Sequence, residues 1–126
     1  MQQPYHILVV EDEPAMQILL RHNLARAGFG VTVVTNGVEA QGLLESRSFD
    51  LICSDVMMSG MDGMQLCNWV KSQPELCATP FVLLSSRAQQ GDREAGLEAG
   101  ADIYMTKPFD VEQLVVVLRQ LLEEKK

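Results

Sequence analysis

The stretch DLICSDVMMSGMDG, Asp50–Gly63, contains the pattern on which the fold prediction depends. Its run Leu51–Ser54 is short and largely apolar, which is typical of a strand that is buried on both faces. The acid Asp55 follows this run directly, and Asp62-Gly63 is a suitable beginning for a helix. The stretch therefore predicts a buried strand, a loop that carries an acid, and a helix.

The same order recurs along the whole chain. Four further short runs stand at Ile7–Val10, Val31–Val34, Phe81–Leu84 and Asp102–Met105. Stretches with helical spacing separate them. In the first, the apolar residues that share the inner face are Met16, Leu19, Leu20, Leu24 and Ala27, and Pro14 and Gly28 lie near its two ends. Asn36–Glu39 resembles a capping box before the second, and Asp110 is the predicted N-cap of the last. The alternation predicts an α/β fold, a five-stranded parallel sheet with helices on both faces, in one domain that spans residues 1–126.

Composition excludes several classes of protein. The chain has 126 residues, is 47% hydrophobic and carries a formal net charge of −7, which argues against direct nucleic-acid binding. No signal peptide and no apolar run near the length of a membrane span, about 18–20 residues, is visible. We predict a cytoplasmic protein whose cysteines, Cys53, Cys67 and Cys77, are buried reduced thiols.

Acidic, hydroxyl and basic side chains follow the predicted strands. Glu11 and Asp12 come after the first, Asp55 after the third, Ser85 after the fourth and Lys107 after the fifth. Each one taken singly has an ordinary explanation as a helix cap or a turn residue. Because sites in parallel α/β sheets form at the carboxyl ends of the strands, however, we expect these side chains to converge.

The predicted convergence has a direct chemical interpretation. Carboxylates about 4 Å apart repel each other by roughly 4 kcal/mol at an effective dielectric constant near 20, so such a group favours a bound cation. Oxygen ligands with open positions suit Mg²⁺. A carboxylate beside Mg²⁺ and the ammonium of Lys107 is a plausible nucleophile toward phosphorus, with Ser85 as a hydrogen-bond donor.

The sequence resembles the response-regulator receiver domains of two-component signalling over essentially its whole length. The resemblance is carried by ILVVEDE (Ile7–Glu13), NGVEA (Asn36–Ala40), DLICSDVMMSGMDG (Asp50–Gly63), FVLLSS (Phe81–Ser86) and GADIYMTKPF (Gly100–Phe109). It implies a flavodoxin-like doubly wound sheet with strand order 2-1-3-4-5. It also implies a signalling module and not an enzyme.

The resemblance implies a role for each site residue. Asp55 corresponds to the phosphoacceptor, and Asp12 and Asp55 would ligate Mg²⁺ through their side chains. Glu11 would act through water or as a second acidic ligand, and Met57 would supply a main-chain carbonyl.

Switching is implied as well. Lys107 would pair with the acceptor or its phosphoryl group, while Ser85 and Tyr104 would be the switch residues. A sensor histidine kinase or phosphotransfer protein would donate the phosphoryl group. An output target or a homodimer would use the face of the fourth helix, fifth strand and fifth helix, without direct contact to nucleic acid or membrane.

Some features depart from the family pattern. Ser59 stands where Pro is common, and Ile103 and Val117 replace an acid and an Arg that join charged dimers in one subclass. Val116 extends a wide apolar arc on the last helix, which indicates either a deeply packed helix or an apolar partner surface. We further expect Arg87, together with Met57, to tune dephosphorylation.

Other functions remain as alternatives. A flavin-binding protein would need a phosphate-binding loop after the first strand, where this chain has Glu11-Asp12-Glu13. An aspartyl-nucleophile phosphatase would place an acid at Met57. A receiver without chemistry would lack the complete set of site residues. The chain fits a free-standing receiver, and a fragment of a longer regulator would have the same sequence.

Overall fold

The computed structural model describes residues 4–58, 60–86 and 90–124 of the chain. Ser59 and Arg87, for which the sequence suggested roles, lie outside these residues. The strands are β1 (His6–Val10), β2 (Gly30–Val34), β3 (Leu51–Asp55), β4 (Phe81–Ser85) and β5 (Ile103–Thr106). The helices are α1 (Pro14–Arg26), α2 (Gly37–Leu44), α3 (Gly63–Ser72), α4 (Gln90–Glu98) and α5 (Val111–Glu124).

The strands form one parallel sheet in the order β2-β1-β3-β4-β5, which confirms the predicted fold class and strand order. β1 lies between β2 and β3, so the chain passes from one half of the sheet to the other after β2. β1 and β3 are therefore neighbours at the centre, and the loops that follow them face each other. This reversal is what places residues from distant parts of the sequence side by side.

Residues on each strand alternate between two apolar layers. Leu8 and Val10 of β1 belong to a core with α2 and α3, while Ile7 and Val9 belong to a core with α1 and α5. Both layers exclude water, which is why the strands read as continuous apolar runs. Helices on both faces of the sheet are thereby confirmed.

Local sequence signals set where the helices begin. The Asn36 side chain accepts a hydrogen bond from the Glu39 amide at 2.8 Å. The Glu39 carboxylate accepts from the Thr35 amide at 2.7 Å, one residue earlier than a standard capping box requires. Asp62 and Gln65 form a complete capping box at the start of α3.

Leu19, Cys77 and Val116 are more exposed than most of the apolar residues of this fold. Leu19, assigned by its spacing to the inner face of α1, is 39% exposed, because Leu20 and Leu24 fill the space against the sheet. Cys77 is exposed and not buried, since it lies in the turn after α3, whereas Cys53 and Cys67 are buried as expected. Val116 is 53% exposed on α5.

The helices of this fold are packed against the sheet and none is a membrane span. Within the described ranges, no helix combines the length and the apolar character needed to cross a bilayer.

Candidate functional site

The predicted site residues lie at the carboxyl edge of the sheet. Glu11 and Asp12 come directly after β1, Asp55 and Ser85 are the last residues of β3 and β4, and Lys107 comes directly after β5. The paired register places Asp55 opposite Leu84, one residue before Ser85. The parallel sheet thus brings together residues that are up to 96 positions apart in sequence.

Three carboxylates form the centre of this edge. Glu11, Asp12 and Asp55 each offer an oxygen, and these oxygens all lie within 4.8 Å of one another. Glu11 is 1% exposed and Asp55 is 7% exposed, while Asp12 is half-buried. Water can therefore solvate two of these acids only poorly, and their mutual repulsion is screened less than it would be on an open surface.

Lys107 is the cation of the cluster. Its Nζ lies 3.2 Å from Glu11 Oε1 and 3.3 Å from Asp55 Oδ2. Burial alone would lower the pKa of Lys107, but the negative charges of Asp55 and Glu11 and their hydrogen bonds outweigh it and raise that pKa. Lys107 therefore remains an ammonium at neutral pH and neutralises part of the acidic charge.

Glu11 differs from the other two acids in how firmly it is held. Its carboxylate accepts a hydrogen bond from the Glu13 amide at 3.0 Å as well as from Lys107. Burial raises the pKa of Glu11, the Glu13 amide lowers it, Asp55 raises it and Lys107 lowers it, with a net shift upward. The net effect shows that desolvation and the neighbouring acid outweigh the favourable contacts.

The predicted switch residues lie next to the cluster but in deeper positions. Ser85 is fully buried, and its carbonyl accepts a hydrogen bond from the Lys107 amide at 2.6 Å. Tyr104 is 2% exposed, so its ring points inward. The ring packs against Gly96 of α4, where an added Cβ would lie 2.6 Å from Tyr104 Cδ2.

Met57 and Gly63 complete the surroundings of Asp55. The Met57 amide donates to Asp55 Oδ1 at 3.3 Å, and the Met57 side chain is 49% exposed at the mouth of the site. A Cβ on Gly63 would lie 2.2 Å from the Asp55 carbonyl oxygen, so α3 begins in direct contact with the main chain of Asp55. The sequence indicated that Gly63 begins a helix, but it contained no signal for this contact.

Comparison with known proteins places the chain in a family. Residues 7–119 match the sequence model described as "Response regulator receiver domain". The phosphate regulon transcriptional regulatory protein PhoB of Rhizobium meliloti is 38% identical over 120 residues, which cover 95% of this chain and 53% of that protein. The transcriptional regulatory protein TcrA of Mycobacterium tuberculosis is 41% identical over 115 residues, 91% of this chain and 45% of that protein. The chain thus spans about half the length of these relatives.

Solved structures agree. The receiver domain of a signal transduction histidine kinase from Syntrophus aciditrophicus is 40% identical with a TM-score of 0.90, and the match covers 95% of this chain and 91% of that one. The receiver domain of a sensor histidine kinase from Pseudomonas aeruginosa is 32% identical with a TM-score of 0.88, covering 95% and 98% respectively. That structure contains a magnesium ion coordinated in its active-site cleft.

Members of this family are phosphorylated on an aspartate in a magnesium-dependent reaction. The matched region contains β2 to β5, all of β1 except His6, and the complete carboxyl edge of the sheet. The chain therefore belongs to the response regulator receiver domain family of two-component signalling.

Proposed function

We propose that Asp55 is the residue of this receiver that accepts a phosphoryl group. The observation that carries the proposal is the position of its carboxylate, 3.3 Å from Lys107 Nζ and within 4.8 Å of oxygens of Glu11 and Asp12. An acid between a cation and a potential metal site can attack phosphorus, because both positive charges offset the repulsion between two anions.

The surroundings favour Asp55 over the two other acids. Both oxygens of Glu11 are engaged, one by the Glu13 amide and the other by Lys107. Asp12 has no ion pair with Lys107, whereas Asp55 has one and lies beside the end of β4, where Ser85 stands. Asp55 therefore has the counter-charge and the neighbouring hydroxyl residue that phosphoryl transfer requires.

The donor would be a phosphohistidine on a sensor kinase or a phosphotransfer protein. A carboxylate oxygen of Asp55 forms the new bond to phosphorus, and the bond between phosphorus and the imidazole nitrogen breaks. The electron pair of that bond stays on the imidazole, and Asp55 becomes an acyl phosphate. The receiver is consumed once per transfer, so we propose a stoichiometric acceptor and not an enzyme.

The three acids fit a magnesium ion. Their ligands are all oxygens, which hard divalent cations prefer, and Lys107 alone offsets only part of their charge. We propose that Asp12, Asp55 and the main-chain carbonyl of Met57 would hold the ion, with Glu11 acting directly or through water. When bound, Mg²⁺ supplies positive charge to the phosphoryl oxygens.

Lys107 and Ser85 would act on the phosphorylated acid. The Lys107 ammonium, already between Glu11 and Asp55, would pair with a phosphoryl oxygen and neutralise its charge. The Ser85 hydroxyl would donate a second hydrogen bond, and Tyr104 would follow the movement of Ser85. One local change in charge would thus shift the balance between two packings of α4 and β5.

We propose that the surface of α4, β5 and α5 passes this change to an output target or to a second copy of the chain. Leu97 on α4 is 44% exposed and Val116 on α5 is 53% exposed, so the surface already presents apolar side chains. The chain would act as one receiver module over residues 1–126, either alone or as part of a longer regulator. A phosphatase of the aspartyl-nucleophile class is disfavoured because Met57, and not an acid, stands two residues after Asp55.

A labelling experiment tests the assignment. The protein is incubated with radiolabelled acetyl phosphate and Mg²⁺, and phosphoryl incorporation is compared among wild type, Asp55→Asn and Asp50→Asn. Asp50 is the matched control, because it lies at the opposite end of the sheet, where it accepts from the His6 amide. Wild type and Asp50→Asn should be labelled to the same extent, and Asp55→Asn should not be labelled. Equal labelling of all three proteins would overturn the proposal.

A further inference from the structure

We infer that Gln17 is a positioning residue for the acidic loop Glu11–Glu13 and that its side chain sets the affinity of the site for Mg²⁺. Gln17 lies on the first turn of α1 and does not belong to the acidic cluster. The inference rests on the proposed function, because it concerns the same metal site. No motif in the sequence indicates a functional role for Gln17.

The side chain of Gln17 closes the loop that carries two of the acids. Its Nε2 donates a hydrogen bond to the Glu11 carbonyl oxygen at 2.6 Å. Its main-chain amide donates to the Glu13 carbonyl at 3.0 Å. One residue of the helix therefore holds the loop at two points, on either side of Asp12.

At the start of α1, the N-cap side chain does not link the acidic loop to the helix. Glu13 occupies the N-cap position without a hydrogen bond from its side chain to the helix, and Pro14 follows it. At α2 and α3, by contrast, Asn36 and Asp62 cap the helix through their side chains. The link between the acidic loop and α1 therefore depends on a donor that reaches back from the helix.

The orientation of Asp12 follows from this link. The Glu11 carbonyl and the Asp12 amide belong to one planar peptide unit, so fixing the carbonyl fixes the plane from which Asp12 departs. The Glu11 amide is held by the Val34 carbonyl at 3.0 Å, which anchors the other side of Glu11. Within residues 4–58, 60–86 and 90–124, no group donates a hydrogen bond to the Asp12 carboxylate. Its direction is thus set by the main chain that Gln17 holds.

Electrostatic repulsion makes this support necessary. Asp12 lies close to Glu11 and Asp55, and Lys107 pairs only with the latter two. Without the tether, the loop could turn Asp12 toward solvent and relieve the repulsion, at the expense of the metal site. Groups that orient metal ligands in this way typically change metal affinity by about 10–100-fold when they are removed.

The experiment measures Mg²⁺ binding directly. Isothermal titration of the full chain with MgCl₂ compares wild type, Gln17→Met, and the control Gln41→Met, since Gln41 is a half-buried glutamine on α2. Methionine has nearly the length of glutamine but no N–H donor. Gln17→Met should raise the Mg²⁺ dissociation constant by about tenfold, while Gln41→Met should leave it unchanged. Thermal unfolding in EDTA reports the fold of each variant, and Gln17→Leu replaces Gln17→Met if the latter is unfolded.

A second measurement separates positioning from a general loss of structure. The rate of labelling by acetyl phosphate is followed as the Mg²⁺ concentration is raised. In Gln17→Met, half-saturation should require about tenfold more Mg²⁺, while the rate at saturation should match that of wild type. A lower rate at saturation with unchanged half-saturation would overturn the inference.

The remaining outcomes are equally decisive. An unchanged dissociation constant in Gln17→Met, with or without a lower melting temperature, would reduce Gln17 to a structural residue. An equal increase in Gln41→Met would show that the effect is not specific to the loop. If wild type itself binds no Mg²⁺, the proposed function fails at its metal site. If wild type and Gln17→Met bind Mg²⁺ with equal affinity, only the inference about Gln17 fails.

Discussion

The two ends of the sheet use the same types of residue for opposite purposes. At the amino end, Asp102 accepts a hydrogen bond from the Phe81 amide at 2.8 Å and pairs with Lys71 at 3.4 Å. Lys71 also donates to the Thr79 carbonyl at 2.7 Å. At the carboxyl end, Glu11, Asp12 and Asp55 crowd together around Lys107.

The difference separates acids that stabilise the fold from acids that take part in chemistry under the proposed function. Asp102 accepts a hydrogen bond from the amide of the buried residue Phe81, and Asp50 accepts one from the His6 amide at 2.7 Å in an exposed position, so each fixes the start of a strand. The acids at the carboxyl end repel one another, and Lys107 offsets only part of their negative charge. An acid at the amino end thus contributes to stability, whereas the cluster at the carboxyl end costs stability as long as no cation is bound to it.

Replacing one acid at each end tests this contrast. The largest change in the free energy of unfolding is expected at the amino end. Asp102→Ala leaves the buried Phe81 amide without its acceptor and should lower the free energy of unfolding by about 2–3 kcal/mol. Asp55→Asn removes two repulsions and one attraction and should raise it by up to about 1 kcal/mol in EDTA. Urea denaturation of both variants measures the two changes.

Function should respond in the opposite sense. At a temperature where it is folded, Asp102→Ala should keep wild-type affinity for Mg²⁺, while Asp55→Asn should lose phosphoryl incorporation. A stabilising role for Asp55, seen as a lower free energy of unfolding in Asp55→Asn, would contradict the division between the two ends.

A second, smaller effect concerns the packing of the Tyr104 ring against α4. Tyr104 lies two residues after Asp102, and its ring occupies the space where Gly96 has no side chain. Gly96→Ala should displace the ring and cost about 1–2 kcal/mol through overcrowding. Gly91→Ala, on the same helix with nothing within 4 Å of its Cβ, should stabilise the chain by up to about 1 kcal/mol.

The position of the ring can be followed by ¹⁹F NMR of fluorotyrosine. The chain has two tyrosines, so a Tyr5→Phe background leaves Tyr104 as the single reporter. Its signal should move in Gly96→Ala and stay in place in Gly91→Ala. An unmoved signal in both variants would mean that Gly96 does not hold Tyr104 inward.

The smallest effect concerns pH. The pKa of Glu11 in the folded chain is above its ordinary value of 4.5, mainly because of burial, so folding favours the protonated form. That contribution to stability is fully present below about pH 4.5 and is lost as pH rises through the raised pKa. In EDTA, lowering the pH from neutrality should therefore stabilise wild type relative to Glu11→Gln. Urea denaturation across this pH range measures the difference, and parallel curves for the two proteins would contradict it.

Much of the fold and the position of the site could be predicted from local signals. The apolar runs became strands, because buried strands of a parallel sheet need apolar side chains on both faces. Glu11, Asp12, Asp55, Ser85 and Lys107 could be grouped because each follows such a run. The prediction that Leu19 faces the sheet was wrong, because helical spacing does not say which side of an apolar arc the sheet will cover. The exposure of Cys77 was missed because it depends on the turn after α3.

The sequence by itself determined the alternation of strands and helices, the edge of the sheet at which the polar residues gather, and the family. These follow from apolar periodicity and from residue types at fixed places, which are local properties of the chain. Only the tertiary structure decided that Lys107 pairs with Glu11 as well as with Asp55, that Gln17 holds the acidic loop, that Gly63 touches the main chain of Asp55, and that Asp102 fixes the opposite end. Each of these contacts joins segments whose distance depends on packing and register, and no local pattern encodes such a distance.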